Sequence, residues 1–296
     1  MRLTGVFPPL PTPFRNDGEL DAGPLALLVE RLNEAPLSGY VALGSNGEAP
    51  HLSADEASTV IRTVKRWAAP GRLIVGGTGR LSTKATVEAT LRAAGDGCDA
   101  ALVLPPFYYR SAMTAESLRR HYETVADRSP IPLVLYNVPA NTGVNLPPEV
   151  VAALSRHPRV AGIKDSSGDV GQLAELVRLT RGAKPFDVVS GSFGATLPGL
   201  SVGAAGAILA VANVAPHECA TILELFSQGR VAEAREIHMR LLPLARAVTS
   251  RFGVPGLKAA LDLLGRSGGV PRLPLLSLDP AGVREVERTL RDAGLL

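Results

Sequence analysis

A lysine closes the short apolar run of "VAGIKDSSGD" (160–169), in which Val160, Ala161 and Ile163 are bounded by Pro158 before and Ser166–Gly168 after. Lysine is rarely buried without a partner, so Lys164 either reaches solvent, the commoner fate of a strand lysine, or stays inside to do chemistry. A neutral amine attacks a ketone to give a Schiff base, an electron sink for breaking or making the adjacent C–C bond. At an ordinary pKa near 10.4, about one lysine in a thousand is neutral at pH 7.4, and desolvation brings catalytic lysines to about 7–8. Such a lysine needs a proton shuttle, and Tyr136 in "IPLVLYNV" (131–138) has a phenol suited to it. It also needs a grip on its substrate. In "GSNGE" (44–48), Gly44 and Gly47 let the backbone approach a ligand, while Ser45 and Asn46 supply donors for a carboxylate. Taken singly, Tyr136 also fits a packed core tyrosine, and "GSNGE" a plain strand-to-helix turn.

The elements that must position these residues follow from hydrophobic period. Apolar runs at 5–14, 39–44, 72–77, 100–105, 131–138, 160–165, 186–191 and 206–213 predict strands. Amphipathic segments at 24–35, 53–67, 82–95, 114–128, 147–155, 170–181, 194–200 and 216–228 predict the helices between them. Ser53 precedes Glu56 by three, and Asp169 precedes Gln172 likewise, as in a capping box. Strand and helix alternating eight times is the pattern of an α/β (β/α)8 TIM barrel, whose active sites lie where strands end. Lys164 and Tyr136 fall near the ends of the sixth and fifth strands, and "GSNGE" leaves the second. A doubly wound sheet would want a dinucleotide loop, and "GGTGRLS" (76–82) lacks the third glycine. The expected organisation is a catalytic barrel over 1–228, with a C-terminal helical extension over 229–296 packed on it. That extension reads as helices at 230–251, 255–264 and 280–293.

The bulk composition excludes several classes. With 296 residues, 46% hydrophobic and 20% charged, the chain has enough apolar content for one large core. A net charge of +3 without a basic run carrying interleaved aromatics argues against nucleic-acid binding. Cys98 and Cys219 have no metal or redox spacing and fit a reduced, cytoplasmic setting. "MRLTGVFPPLPTPF" is broken by prolines where a signal peptide needs an unbroken apolar stretch. The longest apolar run, "VGAAGAILAVANVA" (202–215), is too short and glycine-rich to span a bilayer, so no membrane partner is expected. His51, His121, His157, His217 and His238 are scattered, with no pair at i, i+4, so a metal-dependent class II aldolase is not expected. No metal and no cofactor are required by the Schiff-base chemistry.

"GSNGEAPHLSADE", "YNVPANTG" and "GIKDSSGD", with 28 positions from Tyr136 to Lys164, resemble the pyruvate-dependent class I aldolases. That family includes dihydrodipicolinate synthase and N-acetylneuraminate lyase, and the resemblance covers nearly the whole chain. It implies that Lys164 forms an imine with pyruvate and that Tyr136 is the acid–base residue. It also implies that Ser45 and Asn46 relay protons and hold the pyruvate carboxylate. Tyr108, in "PPFYYR", matches a tyrosine lent across a subunit interface, more closely than Tyr109 does, and the resemblance implies a homotetramer built as a dimer of dimers. One position departs from dihydrodipicolinate synthase: Asn141, in "VPANTG", stands where that enzyme carries an arginine for the aldehyde substrate's carboxylate. An amide cannot replace a bidentate guanidinium, whose loss costs about 1.5–3 kcal/mol. "VPANTG", "KDSSGDV", "AVANV" and "RFGVPGLKAALDLLG" look most like 4-hydroxy-2-oxoglutarate aldolase, in which Ser166 also lines the site. The expected reaction is cleavage of 4-hydroxy-2-oxoglutarate to pyruvate and glyoxylate. Dihydrodipicolinate synthesis from pyruvate and aspartate semialdehyde, a sugar-acid aldolase or dehydratase, and an N-acetylneuraminate lyase remain alternatives. Outside catalysis, a keto-acid-binding regulatory protein on the same barrel is the rival.

Overall fold

The computed structural model describes residues 1–182 and 184–296. Its strands are β1 (Gly5–Phe7), β2 (Gly39–Ala42), β3 (Leu73–Gly77), β4 (Ala100–Val103), β5 (Leu133–Asn137), β6 (Val160–Asp165), β7 (Asp187–Ser190) and β8 (Gly206–Ile208). The helices up to β8 are α1 (Ala22–Leu32), α2 (Ala54–Trp67), α3 (Thr83–Gly95), α4 (Ala115–Arg128), α5 (Pro139–Thr142), α6 (Pro148–Leu154), α7 (Val170–Thr180) and α8 (Thr196–Ser201). Beyond β8 come α9 (Pro216–Ser227), α10 (Val231–Arg246), α11 (Gly253–Leu263) and α12 (Pro280–Asp292). The strands form one eight-stranded sheet in the order β1-β8-β7-β6-β5-β4-β3-β2, and β3 to β8 each pair in parallel with the next. The chain past β1 then pairs with β2: Val41 N–H donates to Pro8 O at 3.0 Å and Leu10 N–H to Val41 O at 2.9 Å. This is the strand order of the (β/α)8 fold expected from the sequence.

Three local readings are refined by hydrogen bonding. The run 5–14 is a strand only to Phe7, because its prolines have no N–H to offer a ladder. The run 206–213 stops being strand at Ile208 and turns into a 3-10 segment at Ala210–Asn213, tied by Asn213 Nδ2 donating to Ala210 O at 2.9 Å and Pro9 O at 3.0 Å. The Ser53–Glu56 capping box forms in full, whereas only half of the Asp169–Gln172 pair does. Asp169 accepts from Gln172 N–H at 3.1 Å, but the Gln172 side chain turns away from the cap toward Asp165.

The chain divides into two compact units, one of Met1–Gly5 with Val75–Ile208, the other of Val6–Ile74 with Leu209–Leu296. The first is built on β4 to β8. Its core joins Val103, Leu133, Leu135, Ile163 and Val188 from the strands to Leu118, Tyr122, Val151, Leu173 and Leu176 from α4, α6 and α7. Each large apolar side chain so buried contributes about 1.5–3 kcal/mol. In the second unit α9 packs on α10 and α11 on α12, and α11 also packs on the turn Ser45–Gly47 that follows β2. Among the described residues no helix is long and apolar enough to cross a membrane.

Candidate active site

Tyr136 and Lys164 are register partners on β5 and β6, followed by the pair Asn137 and Asp165. Leu135 and Ile163, one residue earlier, belong to the core shared with the helices. Successive side chains of a strand point to opposite faces, so Tyr136 and Lys164 share the face turned away from those helices. Both are buried, and Lys164 Nζ lies 4.2 Å from the centroid of the Tyr136 ring. The amine and the phenol inferred from sequence are thus brought together.

The next residues hold the two strand ends in place. The buried Asp165 carboxylate accepts from Asn137 Nδ2 at 2.6 Å, Ser167 Oγ at 2.5 Å and Gln172 Nε2 at 3.0 Å. Asn137 Nδ2 also donates to Asn145 Oδ1 at 2.7 Å, and its Oδ1 accepts from Leu146 N–H at 2.9 Å. Hydrogen bonds to a charged group are worth about 1.5–3 kcal/mol each, enough to fix the strand register that places Lys164 opposite Tyr136. Sequence reading singled out none of Asn137, Asn145, Asp165 or Gln172 for this role. Their one signal is the polar cluster that follows each strand.

Gly191 was also missed. Its N–H donates to Asp165 O at 2.6 Å, and a Cβ there would lie 2.8 Å from Lys164 Cε and collide with Ser166 Oγ. Ser166 Oγ is buried with no hydrogen-bond partner among the described residues, beside the lysine stem. A buried hydroxyl without a partner costs free energy unless a ligand or water satisfies it. Ser166 therefore keeps an uncommitted hydroxyl beside the Lys164 stem. The glycine keeps that space open.

The loop leaving β5 is the single turn α5, ended by Gly143 at φ +65°. Thr142 Oγ1 braces it against Val138 O at 3.1 Å and Val144 O at 3.0 Å, and Asn141 is exposed. The loop after β4 carries Tyr108 and Tyr109, both 71% exposed, with ring centroids 5.0 Å apart in edge-to-face contact. Within one chain, then, Tyr108 is a surface residue and is not gathered into the buried Lys164–Tyr136 pair.

Ser45 and Asn46 belong to the other unit, both partly buried, in the 3-10 turn Ser45–Gly47. Two non-glycine residues in left-handed backbone flank them, Leu43 at φ 58° and Glu48 at φ 52°. Such conformations cost about 1–3 kcal/mol each and persist where the surroundings enforce them. Here the enforcement is visible. Glu48 Oε1 lies 2.6 Å from Lys258 Nζ with both side chains buried, and Glu48 Oε2 accepts from Arg272 N–H at 2.9 Å. Thr12 Oγ1 donates to Gly47 O at 2.7 Å, and Lys258 Nζ to Val270 O at 2.7 Å. Burial pulls the Lys258 amine below its ordinary pKa, while Glu48 pulls it back up.

Among the described residues, no group of three His, Cys, Asp or Glu side chains is placed to hold a metal ion. A family model described as the Dihydrodipicolinate synthetase family matches residues 2–293. The chain belongs to this family. A 4-hydroxy-tetrahydrodipicolinate synthase of Methanothrix thermoacetophila is 40% identical over 288 residues, 97% of this chain and 95% of the relative. The synthase of the same name from Archaeoglobus fulgidus is 36% identical over 293 residues, 99% of each chain. Among solved structures, the chloride-inhibited dihydrodipicolinate synthase of Acinetobacter baumannii complexed with pyruvate shares 32% identity, with a TM-score of 0.94 over 100% of both chains. The Thermotoga maritima dihydrodipicolinate synthase shares 33% identity, with a TM-score of 0.93 over 99% of both. Like this family, the chain is a metal-independent class I lyase of the aldolase type on a TIM barrel. The narrower resemblance to 4-hydroxy-2-oxoglutarate aldolase finds no support in these relatives.

Proposed function

We propose that the chain joins pyruvate, held as an imine on Lys164, to a carboxylated aldehyde, as a 4-hydroxy-tetrahydrodipicolinate synthase does with aspartate semialdehyde. The observation that carries the imine is the buried Lys164 amine 4.2 Å from the Tyr136 ring, with Ser166 Oγ unpartnered beside its stem. Neutral Nζ attacks C2 of pyruvate, and Tyr136 delivers the proton that lets the carbinolamine lose water. The Tyr136 phenolate so formed takes up a C3 proton to leave an enamine, whose C3 attacks the aldehyde carbon, and the restored phenol gives that proton to the new alkoxide. Hydrolysis or transimination frees the lysine. Ser45 and Asn46 relay protons and hold the pyruvate carboxylate in this reading, and Tyr108 is lent to a neighbouring subunit of a homotetramer. The names of the relatives support aspartate semialdehyde as the second substrate.

One observation favours a second reading, cleavage of 4-hydroxy-2-oxoglutarate to pyruvate and glyoxylate: the "PANTG" loop offers Asn141, a neutral and exposed amide. The two are separated by measuring kcat/KM for both reactions on the unmodified protein. A larger value for the semialdehyde supports the synthase, and a larger value for the hydroxy keto acid supports the aldolase. Asn141→Arg should move the ratio toward the semialdehyde about tenfold or more, the worth of one charged hydrogen bond. Turnover of neither, with no borohydride-trapped pyruvate on Lys164, rejects the imine altogether.

A further inference from the structure

Both candidate second substrates, aspartate semialdehyde and glyoxylate, carry a carboxylate, and a buried or half-buried carboxylate needs a cation or several donors. The loop that follows Tyr136, residues 138–146, contains neither lysine nor arginine. A guanidinium nonetheless covers it. A Cβ built on Gly143 would meet Arg110 Nη1 at 2.7 Å, Cδ at 2.8 Å and Cζ at 3.3 Å, so the arginine lies against the loop two residues past Asn141. Gly143 is also left-handed, at φ +65°, so this position resists any side chain on two grounds. Arg110 comes from the loop after β4, the strand next to β5, and β5 in turn adjoins β6 with its lysine.

We propose that Arg110 holds the carboxylate of the second substrate, a deepening that rests on the pyruvate-imine reading above. Three arginines of α4 and α7 are paired with carboxylates of their own helices. Arg119 pairs with Glu116 and Glu123, Arg120 with Glu116, and Arg178 with Glu175, whereas Arg110 makes no ion pair with any described residue. It is exposed, so its planar fork is open to a bidentate ligand. Arg80, in the loop after β3, is the other cation of comparable position. Its Nη1 donates to Gly79 O at 2.9 Å, and burial lowers its pKa. The Arg110 fork, from the loop after β4, and the Asn141 amide, from the loop after β5, together give one charged and one neutral donor beside Gly143.

Borohydride trapping tests this without requiring turnover. Pyruvate and 2-oxoglutarate present the same ketone to Lys164, but only the second carries a distal carboxylate. Arg110→Gln should raise the concentration of 2-oxoglutarate that half-traps the protein by about 10- to 100-fold, the worth of one charge-assisted pair. The value for pyruvate should not move, which also reports that the variant is folded. Arg110→Lys should fall between, and adding Asn141→Arg to Arg110→Gln should recover part of the loss. An equal change for both keto acids, no change for either, or a selective loss in Arg80→Gln instead would overturn the assignment. If the unmodified protein trapped no pyruvate on Lys164, the imine reading would fail and this proposal with it. Trapping of pyruvate by every variant without selectivity would sink Arg110 alone.

Discussion

Gly191 and Lys164 are in contact through the absence of a side chain: a Cβ on the glycine would stand 2.8 Å from the lysine Cε and would collide with Ser166 Oγ. Gly191 comes from the loop after β7, next to β6 in the sheet, and its N–H donates to Asp165 O. Gly191→Ala should therefore displace the lysine stem while leaving the strands paired. A misplacement of about 1 Å at a reacting atom can cost about 100-fold in rate. We expect pyruvate trapping and turnover to fall by that order, with an unchanged far-UV circular dichroism spectrum. Full activity in the alanine variant would show that the lysine is not held where the structure puts it.

Two buried lysines compete for the adduct. Lys164 and Lys258 are each almost fully enclosed, but Lys258 is paired with Glu48 at 2.6 Å. The Glu48 carboxylate occupies the Lys258 amine and opposes the effect of burial on its pKa, which makes it the poorer nucleophile. Peptide mapping after borohydride reduction with pyruvate should find the adduct on Lys164 and none on Lys258. The opposite result would move the reaction centre to the other unit.

The Glu48–Lys258 pair has a structural consequence as well. Lys258→Met leaves a buried carboxylate without its cation, which typically costs 3–5 kcal/mol. Urea unfolding should show a loss of about that size. Lys258→Met with Glu48→Gln should recover part of it, because the stranded charge is then gone. A double variant no more stable than the single one would deny the ion pair its role in holding the left-handed turn at Glu48.

His121 makes stability depend on pH. It is 5% exposed, its Nδ1 lies 2.9 Å from Thr83 Oγ1, and burial pushes its pKa from 6.5 down to about 4. The unfolded chain takes up a proton below about pH 6.5, whereas the folded one resists until about pH 4. The contribution is therefore fully present above pH 6.5 and is lost as pH falls toward 4, on the order of 3 kcal/mol. His238, also lowered by burial, adds to the same trend. His121→Asn keeps a partner for Thr83 and does not titrate, so its unfolding free energy should fall less steeply over that window. Parallel slopes for the two proteins would remove His121 as a cause.

Assembly is tested by mixing. If the exposed Tyr108 completes a neighbour's site, inactive Lys164→Ala and Tyr108→Phe proteins should regenerate activity through hybrid sites. Subunits shown to exchange without recovery would confine each site to one chain.

The strands and helices were legible because their signals are local. Apolar runs broken by glycine and proline marked β2 to β7 within a few residues, and Ser53 with Glu56 marked the start of α2. Lys164 and Tyr136 could be named as candidates for the same reason: an amine and a phenol at strand ends are properties of single positions. What the tertiary structure decided is which groups meet. The Tyr136–Lys164 register, the Asp165 carboxylate drawing Gln172 away from its cap, Gly191 against the lysine stem and Arg110 on Gly143 all join residues far apart in the chain. Local propensity carries no information about such pairs, because a hydrogen-bond donor or an empty Cβ position acquires a partner only when strand register sets two loops side by side. The end of β8 at Ile208 has the same origin. An apolar run reads as strand until Asn213, bound to Pro9 and Ala210 carbonyls, folds its last residues into a turn.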